Sequence, residues 1–368
     1  MAESRLHRLA ARGQSIWIDN LSRDLVHGGE LARLIDEDAV TGITSNPTIF
    51  QKAIGGSSDY DEQLKACLTE LDDPTEIFFR LAIEDVRDAC DMLRPVWERT
   101  GGTDGYVSLE VEPGLAYDTA GTFEQAIALH KRVDRSNLYV KIPATEAGVP
   151  AIEDCIAGGH SINVTLIFSL ERYRAVVEAY LRGLERLLEG GGDPSEVFSV
   201  ASFFVSRIDT ETDRRLEELG NKELQGKLGI ASARLAYKHF QQAFSGPRWE
   251  SLVGKGASKQ RPLWASTSTK NPAYRDVMYV EELIGPDTVD TMPPETIEAF
   301  QDHGEVRGDT VLEGWADAEQ LLSDLGDAGV DYDDVVALLE TEGVQKFADS
   351  FDELLGGIRA KQGELAKA

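Results

Sequence analysis

At 368 residues the chain can bury one large core or two ordinary ones. Its 65 acidic against 37 basic residues leave a net charge of −28, which argues against a general nucleic-acid or anionic-membrane surface, since both need excess positive charge. Apolar content of 42% and charged content of 28% are ordinary for a globular protein, and no apolar run approaches membrane-spanning length.

Eight strand patterns follow one another, mostly separated by helical ones. Residues 15–19, Ser-Ile-Trp-Ile-Asp, make the first, and an amphipathic helix is expected over 24–36. The second strand is 42–46, ended by Pro47, because proline has no N–H for a sheet ladder. Helical sequence runs from about 60 to 98 with a break near Asp73-Pro74, and residues 106–111 form the third strand. A helix over 122–133 leads to the fourth strand, Leu138–Pro143, and a shorter helix over 149–157 to the fifth, 162–168. Ser169 is a good N-cap for the long helix reaching Glu189. Beyond three glycines, 197–205 is the sixth strand, and helical sequence occupies 210–244. Residues 245–260, with three glycines and scattered lysines, read as a mobile loop. The seventh strand is 262–268, a weak eighth is Thr288–Met292, and the rest is helical, including 332–361.

Strand–helix alternation repeated eight times specifies an α/β fold with a parallel sheet, and eight units favour a closed (β/α)8 TIM barrel over an open sheet. Such barrels run to roughly 250 residues, which leaves room for insertions and a helical C-terminal extension. Residues 1–310 are therefore expected to form the catalytic barrel and 311–368 an extension packed on it. No GxGxxG follows an early strand, so a Rossmann sheet is not indicated.

The fourth strand carries the odd residue. Leu138, Val140 and Ile142 share one face, and Tyr139 and Lys141 the other. Burying an ammonium is costly, and desolvation favours the neutral amine, which in an apolar pocket forms Schiff bases with carbonyls. The plain alternative is a structural lysine paired with a carboxylate. Alternation along the other strands decides between them. It puts Ile16 and Ile18, Val107 and Leu109, Ile162 to Phe168 at even positions, and Leu263 and Ala265 toward the helices. The opposite face then collects Asp19, Glu110, Lys141, Asn163, Thr165, Ser266 and Ser268 with Trp17 and Trp264, mostly late in their strands, where barrel active sites form. That many polar groups in one barrel mouth exceed what structure alone requires. Asp19 and Glu110 suit the proton transfers of lysine–ketone chemistry, and Arg207, Ser268 and Lys270 suit a phosphate.

These segments resemble the transaldolases. Thr44-Ser45-Asn46-Pro47-Thr48 is similar to their TSNP/TTNP signature, 138–143 to their Schiff-base strand, and 162–169 to their NxTLxFS segment. Residues 107–118, with Ser108, Glu110, Leu115 and Tyr117, resemble their third-strand block, and 201–207 their SPFVxR block. The length and helical tail look like the longer bacterial members. The resemblance implies transfer of a dihydroxyacetone unit from sedoheptulose 7-phosphate to glyceraldehyde 3-phosphate, in the cytoplasmic pentose phosphate pathway. Lys141 would carry the Schiff base, Asp19 would handle the proton of the C4 hydroxyl, and Glu110 with Thr165 would hold the water of dehydration. Asn46 and Asn163 would bind the three-carbon intermediate; Ser202, Arg207, Ser266 or Ser268, and Lys270 would bind the remaining substrate and its phosphate. One departure stands out: the family often shows SxR after the seventh strand, whereas Ser268-Thr269-Lys270 offers a cation without the bidentate fork.

No cofactor or metal is expected, because the six histidines form no HxH or HExxH pattern. Sugar phosphates are the expected partners, with neither nucleic acid nor membrane, for a monomer or small homo-oligomer. Cys67, Cys90 and Cys155, odd in number and without CxxC spacing, suit a reducing cytosol. Residues 1–13 are charged and lack an apolar segment, so no secretory signal is expected. Two rivals remain: an aldolase acting on fructose 6-phosphate with free dihydroxyacetone, and a non-catalytic sugar-phosphate-binding barrel.

Overall fold

The computed structural model describes residues 4–365, so the expectations touching 1–3 and 366–368 lie outside the described residues there. Eight strands, β1 (Gln14–Ile18), β2 (Val40–Ile43), β3 (Val107–Glu110), β4 (Leu138–Pro143), β5 (Ile162–Ile167), β6 (Ser199–Phe204), β7 (Arg261–Ala265) and β8 (Thr288–Met292), close in sequence order. Every neighbouring pair is parallel, and β8 returns to β1 to complete the (β/α)8 barrel. Closure removes the two exposed edges that an open sheet would leave.

The helices depart from expectation where glycine takes a left-handed backbone. Gly29, at φ 92, divides the expected helix over 24–36 into Arg23–His27 and Glu30–Glu37. Gly220 and Gly226 likewise separate Ser206–Glu218 from Leu228–Ala243, where one helical run over 210–244 was expected. The loop expected over 245–260 contains a helix, Gly246–Val253. Pro247 presets its first turn, and Trp249 and Leu252, three apart, bury one face against the core. A helix absent from the sequence reading, Pro47–Gly56, opens directly from β2: Asn46 caps it by accepting the Ile49 N–H at 3.0 Å, and Pro47 occupies its first position.

The lower interior of the barrel is filled, not hollow. Tyr106 and Tyr139 stack with ring centroids 3.9 Å apart, and Trp17 lies 6.0 Å from Tyr139 while donating its indole N–H to Asp104. Glycine is required at position 42, since a Cβ there would come within 2.4 Å of the Trp17 ring. This aromatic plug lies beneath Lys141, with Tyr139 two residues before it on β4.

The C-terminal helix, Tyr332–Leu365, crosses the opposite end of the barrel. Several contacts hold it there. Tyr332 Oη accepts the Leu170 N–H, Arg172 pairs with Glu340 at 3.3 Å, Thr48 and Ser350 share a hydroxyl bond of 2.8 Å, and Phe351 meets Phe78 edge-on at 5.3 Å. No described helix is long and apolar enough to cross a membrane.

Candidate active site

At the C-terminal ends of the strands opens a cavity of about 1030 Å³. Lys141, 4% exposed, lies at its base, because β4 pairs with β3 and β5 and points every second side chain inward. Register sets Glu110 beside Lys141, and their charged atoms lie 3.2 Å apart. The ammonium also donates to the Ser45 carbonyl at 3.1 Å, and Ser45 is fixed in turn by its hydroxyl bond to the Ser108 carbonyl. Asp19 follows the end of β1 and accepts the Thr44 hydroxyl at 2.6 Å. Burial pushes both the Asp19 and the Glu110 carboxyls above the ordinary carboxylate range, while the Lys141 charge pulls each back.

Thr165, on β5, lines the cavity, and its buried Oγ1 makes no hydrogen bond with described residues. Glu110 does not border the cavity itself; its Oε2 makes an ion pair with Lys141 but no hydrogen bond of good geometry, and the Asp19 and Arg207 charges also act on it. Asn163 is fully buried beneath them, donating to Ser108 Oγ at 3.0 Å and accepting from Ser202 Oγ at 2.7 Å. Both ends of its amide are therefore engaged by protein, whereas Ser202 also borders the cavity. Asn46 spends its carbonyl oxygen on the helix cap and turns its side chain to the cavity wall. Arg207, Ser266, Ser268 and Lys270 stand together on the rim after β6 and β7. Ser266 Oγ bonds Ser206 Oγ at 2.8 Å, and Lys270 donates to Ser268 Oγ at 2.7 Å.

Two stretches break the alternation counted from sequence. In β7, Trp264 pairs with Phe203, packs on it, and donates to the Leu283 carbonyl, so it faces the helices, while Ala265 borders the cavity. The faces expected for Leu263, Trp264 and Ala265 are thus exchanged. Ser266 then takes φ 57, which resets the count and returns Ser266 and Ser268 to the cavity. In β5, Leu166 at φ 57 accompanies a register shift after Val164, and Phe168 turns to Phe204, 5.2 Å away, instead of to the helices. A non-glycine residue in the left-handed region costs about 1 kcal/mol, so side-chain packing, here a whole barrel end, must hold it.

Helices supply part of the cavity wall that strand alternation does not indicate. Lys52 comes from Pro47–Gly56, and Leu339, Glu342, Gly343, Lys346 and Phe347 come from the C-terminal helix. The Phe347 ring lies 5.7 Å from the Lys141 ammonium and 5.9 Å from the Arg207 guanidinium. The only available signal was the i, i+4, i+7, i+8 spacing of Leu339, Gly343, Lys346 and Phe347, which puts them on one helix face without saying what that face covers. Among described residues no group of three or more His, Cys, Asp or Glu side chains could hold a metal ion.

Residues 16–358 match the family described as Transaldolase/Fructose-6-phosphate aldolase. The chain is 51% identical to "Transaldolase" of Frankia alni over 361 residues, 97% of either chain. It is 50% identical over 366 residues to "Transaldolase" of Mycolicibacterium paratuberculosis, and 51% over 364 to "Transaldolase 2" of Streptomyces avermitilis, covering 98% of both chains each time. The chain belongs to the transaldolase family. It is accordingly an enzyme of the transferase class, and its barrel is the scaffold of that activity.

Proposed function

We propose that this chain moves a dihydroxyacetone unit reversibly from sedoheptulose 7-phosphate to glyceraldehyde 3-phosphate, giving erythrose 4-phosphate and fructose 6-phosphate, through a Schiff base on Lys141. The observation that carries the reading is a buried lysine paired with the buried Glu110 and under the charge of the half-buried Asp19, at the base of a cavity rimmed by cations. The Lys141 amine adds to the C2 carbonyl of the donor, and the carbinolamine loses water to give an iminium. Asp19 takes the C4 hydroxyl proton, the C3–C4 bond breaks, and its electron pair passes into the enamine as the aldose phosphate leaves. The enamine then attacks the acceptor aldehyde, and water releases the new ketose. Thr165 Oγ1 makes no hydrogen bond with described residues and Glu110 Oε2 carries only its ion pair with Lys141, which leaves both able to take a water in the two hydration steps. Asn46 and Asn163 would hold the intermediate's hydroxyls, the latter by exchanging Ser108 or Ser202 for substrate. Arg207, Ser266, Ser268 and Lys270 would take the phosphate.

In this reading sugar phosphates are the only partners, the enzyme works in the cytoplasm within the pentose phosphate pathway as a monomer or small homo-oligomer, and no cofactor enters the chemistry. Its three cysteines are free and buried, as a reducing compartment allows. The test is borohydride reduction with fructose 6-phosphate, followed by peptide mass mapping. A three-carbon adduct on Lys141 supports the mechanism. A folded protein with no lysine adduct would sink it and revive the binding-barrel alternative, whereas rapid release of dihydroxyacetone without an acceptor would identify an aldolase.

A further inference from the structure

The rim of the cavity concentrates positive charge in a protein that has very little of it to spare. Arg207, Lys270, Lys52 and Lys346 all border it, against a whole-chain charge of −28. Other basic groups at the cavity are neutralised: Lys141 by Glu110, and Arg214 by Glu211 and Glu218. Among the described residues none of the four makes a salt bridge, although Glu342 sits one helical turn before Lys346, at the spacing that favours such a pair. The Arg207 charge foremost, then burial, then Lys270 and Lys52, depress the Lys346 ammonium below the ordinary lysine range. Four cations that repel one another at one mouth fit an anion that neutralises them.

They fall into two tiers. Arg207 is partly buried on the rim beside Phe204 and Phe347, the ring that also faces Lys141. Lys270, Lys52 and Lys346 are exposed to solvent, the last two on helices joined by the Thr48–Ser350 bond. Under the proposed chemistry the phosphate of a four-carbon acceptor lies one carbon farther from Lys141 than that of a three-carbon acceptor. We propose that Lys346, with Lys52 beside it, forms an outer phosphate-binding tier that engages the longer aldose phosphates, making the C-terminal helix part of substrate selection. This rests on the function proposed above; the charge cluster itself does not.

The test compares the wild type with Lys346→Met and Lys346→Arg, each checked for an unchanged melting transition. Inorganic phosphate is titrated by calorimetry, which needs no turnover. Losing one charge-assisted contact is expected to weaken phosphate binding about tenfold in Lys346→Met, with recovery in Lys346→Arg. In the transfer assay, KM for erythrose 4-phosphate is expected to rise more than KM for glyceraldehyde 3-phosphate. Phosphate affinity within about twofold of wild type, or equal rises in both KM values, would overturn the proposal. A wild type that binds phosphate but transfers nothing would instead remove the catalytic reading and leave the anion site standing.

Discussion

The Phe347 ring stands 5.7 Å from the Lys141 ammonium, although 206 positions of sequence separate them. An aromatic face at that distance attracts a cation and excludes water, two effects that suit the proposed covalent intermediate, which would have to outlive one product and await the next. Phe347→Ala is expected to cost about 3 kcal/mol of stability and to raise the release of free dihydroxyacetone relative to transfer. Product partitioning, measured with and without an acceptor aldehyde, checks this. An unchanged ratio would confine Phe347 to packing.

Glu110, 3.2 Å from Lys141, is expected to matter through proton transfer more than through binding. Glu110→Gln keeps the shape and removes the base, so kcat should fall by roughly a hundredfold or more while KM for either ketose phosphate changes little. Steady-state kinetics on the folded variant decide it, and a large KM effect with kcat retained would contradict the assignment.

Asp19 supplies a pH dependence. It accepts a proton only when ionised, and burial raises its pKa against the opposing pull of Lys141. The rate should therefore climb with pH along a limb lying above the ordinary aspartate value of about 4. A limb in kcat/KM at or below that value would exclude Asp19 as the base.

Asp290 makes a different pH prediction, for stability. It lies fully buried behind the barrel wall, accepts the Thr267 hydroxyl at 2.9 Å, and burial pushes its pKa up to about 7. A carboxyl with a raised folded-state pKa contributes stability that is present below its unfolded pKa, near 4, and is lost as pH rises through 7. Asp290→Asn fixes the neutral form, so its melting temperature relative to wild type should increase by several degrees between pH 5 and pH 8. A constant difference across that window would show that Asp290 is not the group responsible.

Ser266 tests the reset in β7. At φ 57 glycine is relaxed, whereas a β-branched residue is not. Ser266→Gly should stay within about 1 kcal/mol of wild type by chemical denaturation, with Ser266→Val losing about 2 kcal/mol or more. Equal losses would mean that the Ser206 hydroxyl bond, not backbone conformation, governs this position.

Much of the barrel was legible because its signals are local. The fourth and eighth strands match their expected bounds, and strict alternation in β1, β3, β4 and the first half of β5 agrees with Asp19, Lys141 and Thr165 lining the cavity and with Glu110 and Asn163 engaging inward neighbours just behind it. The same rule failed from Leu166 onward in β5 and across β7. A positive φ on leucine or serine leaves no mark in sequence, as a glycine would have done.

Sequence alone determined the eight-unit barrel and the presence of a lysine, two carboxyls and a cationic, hydroxyl-bearing rim, because period-two patterning and residue chemistry act over a few positions. Tertiary structure decided which side Trp264 faces, that Asn163 is held between Ser108 and Ser202, and that the far C-terminal helix brings Lys346 and Phe347 to the base and rim of the site. Those outcomes depend on contacts between segments from 19 positions apart, for Trp264 and Leu283, to 302, for Thr48 and Ser350, and no local period encodes them.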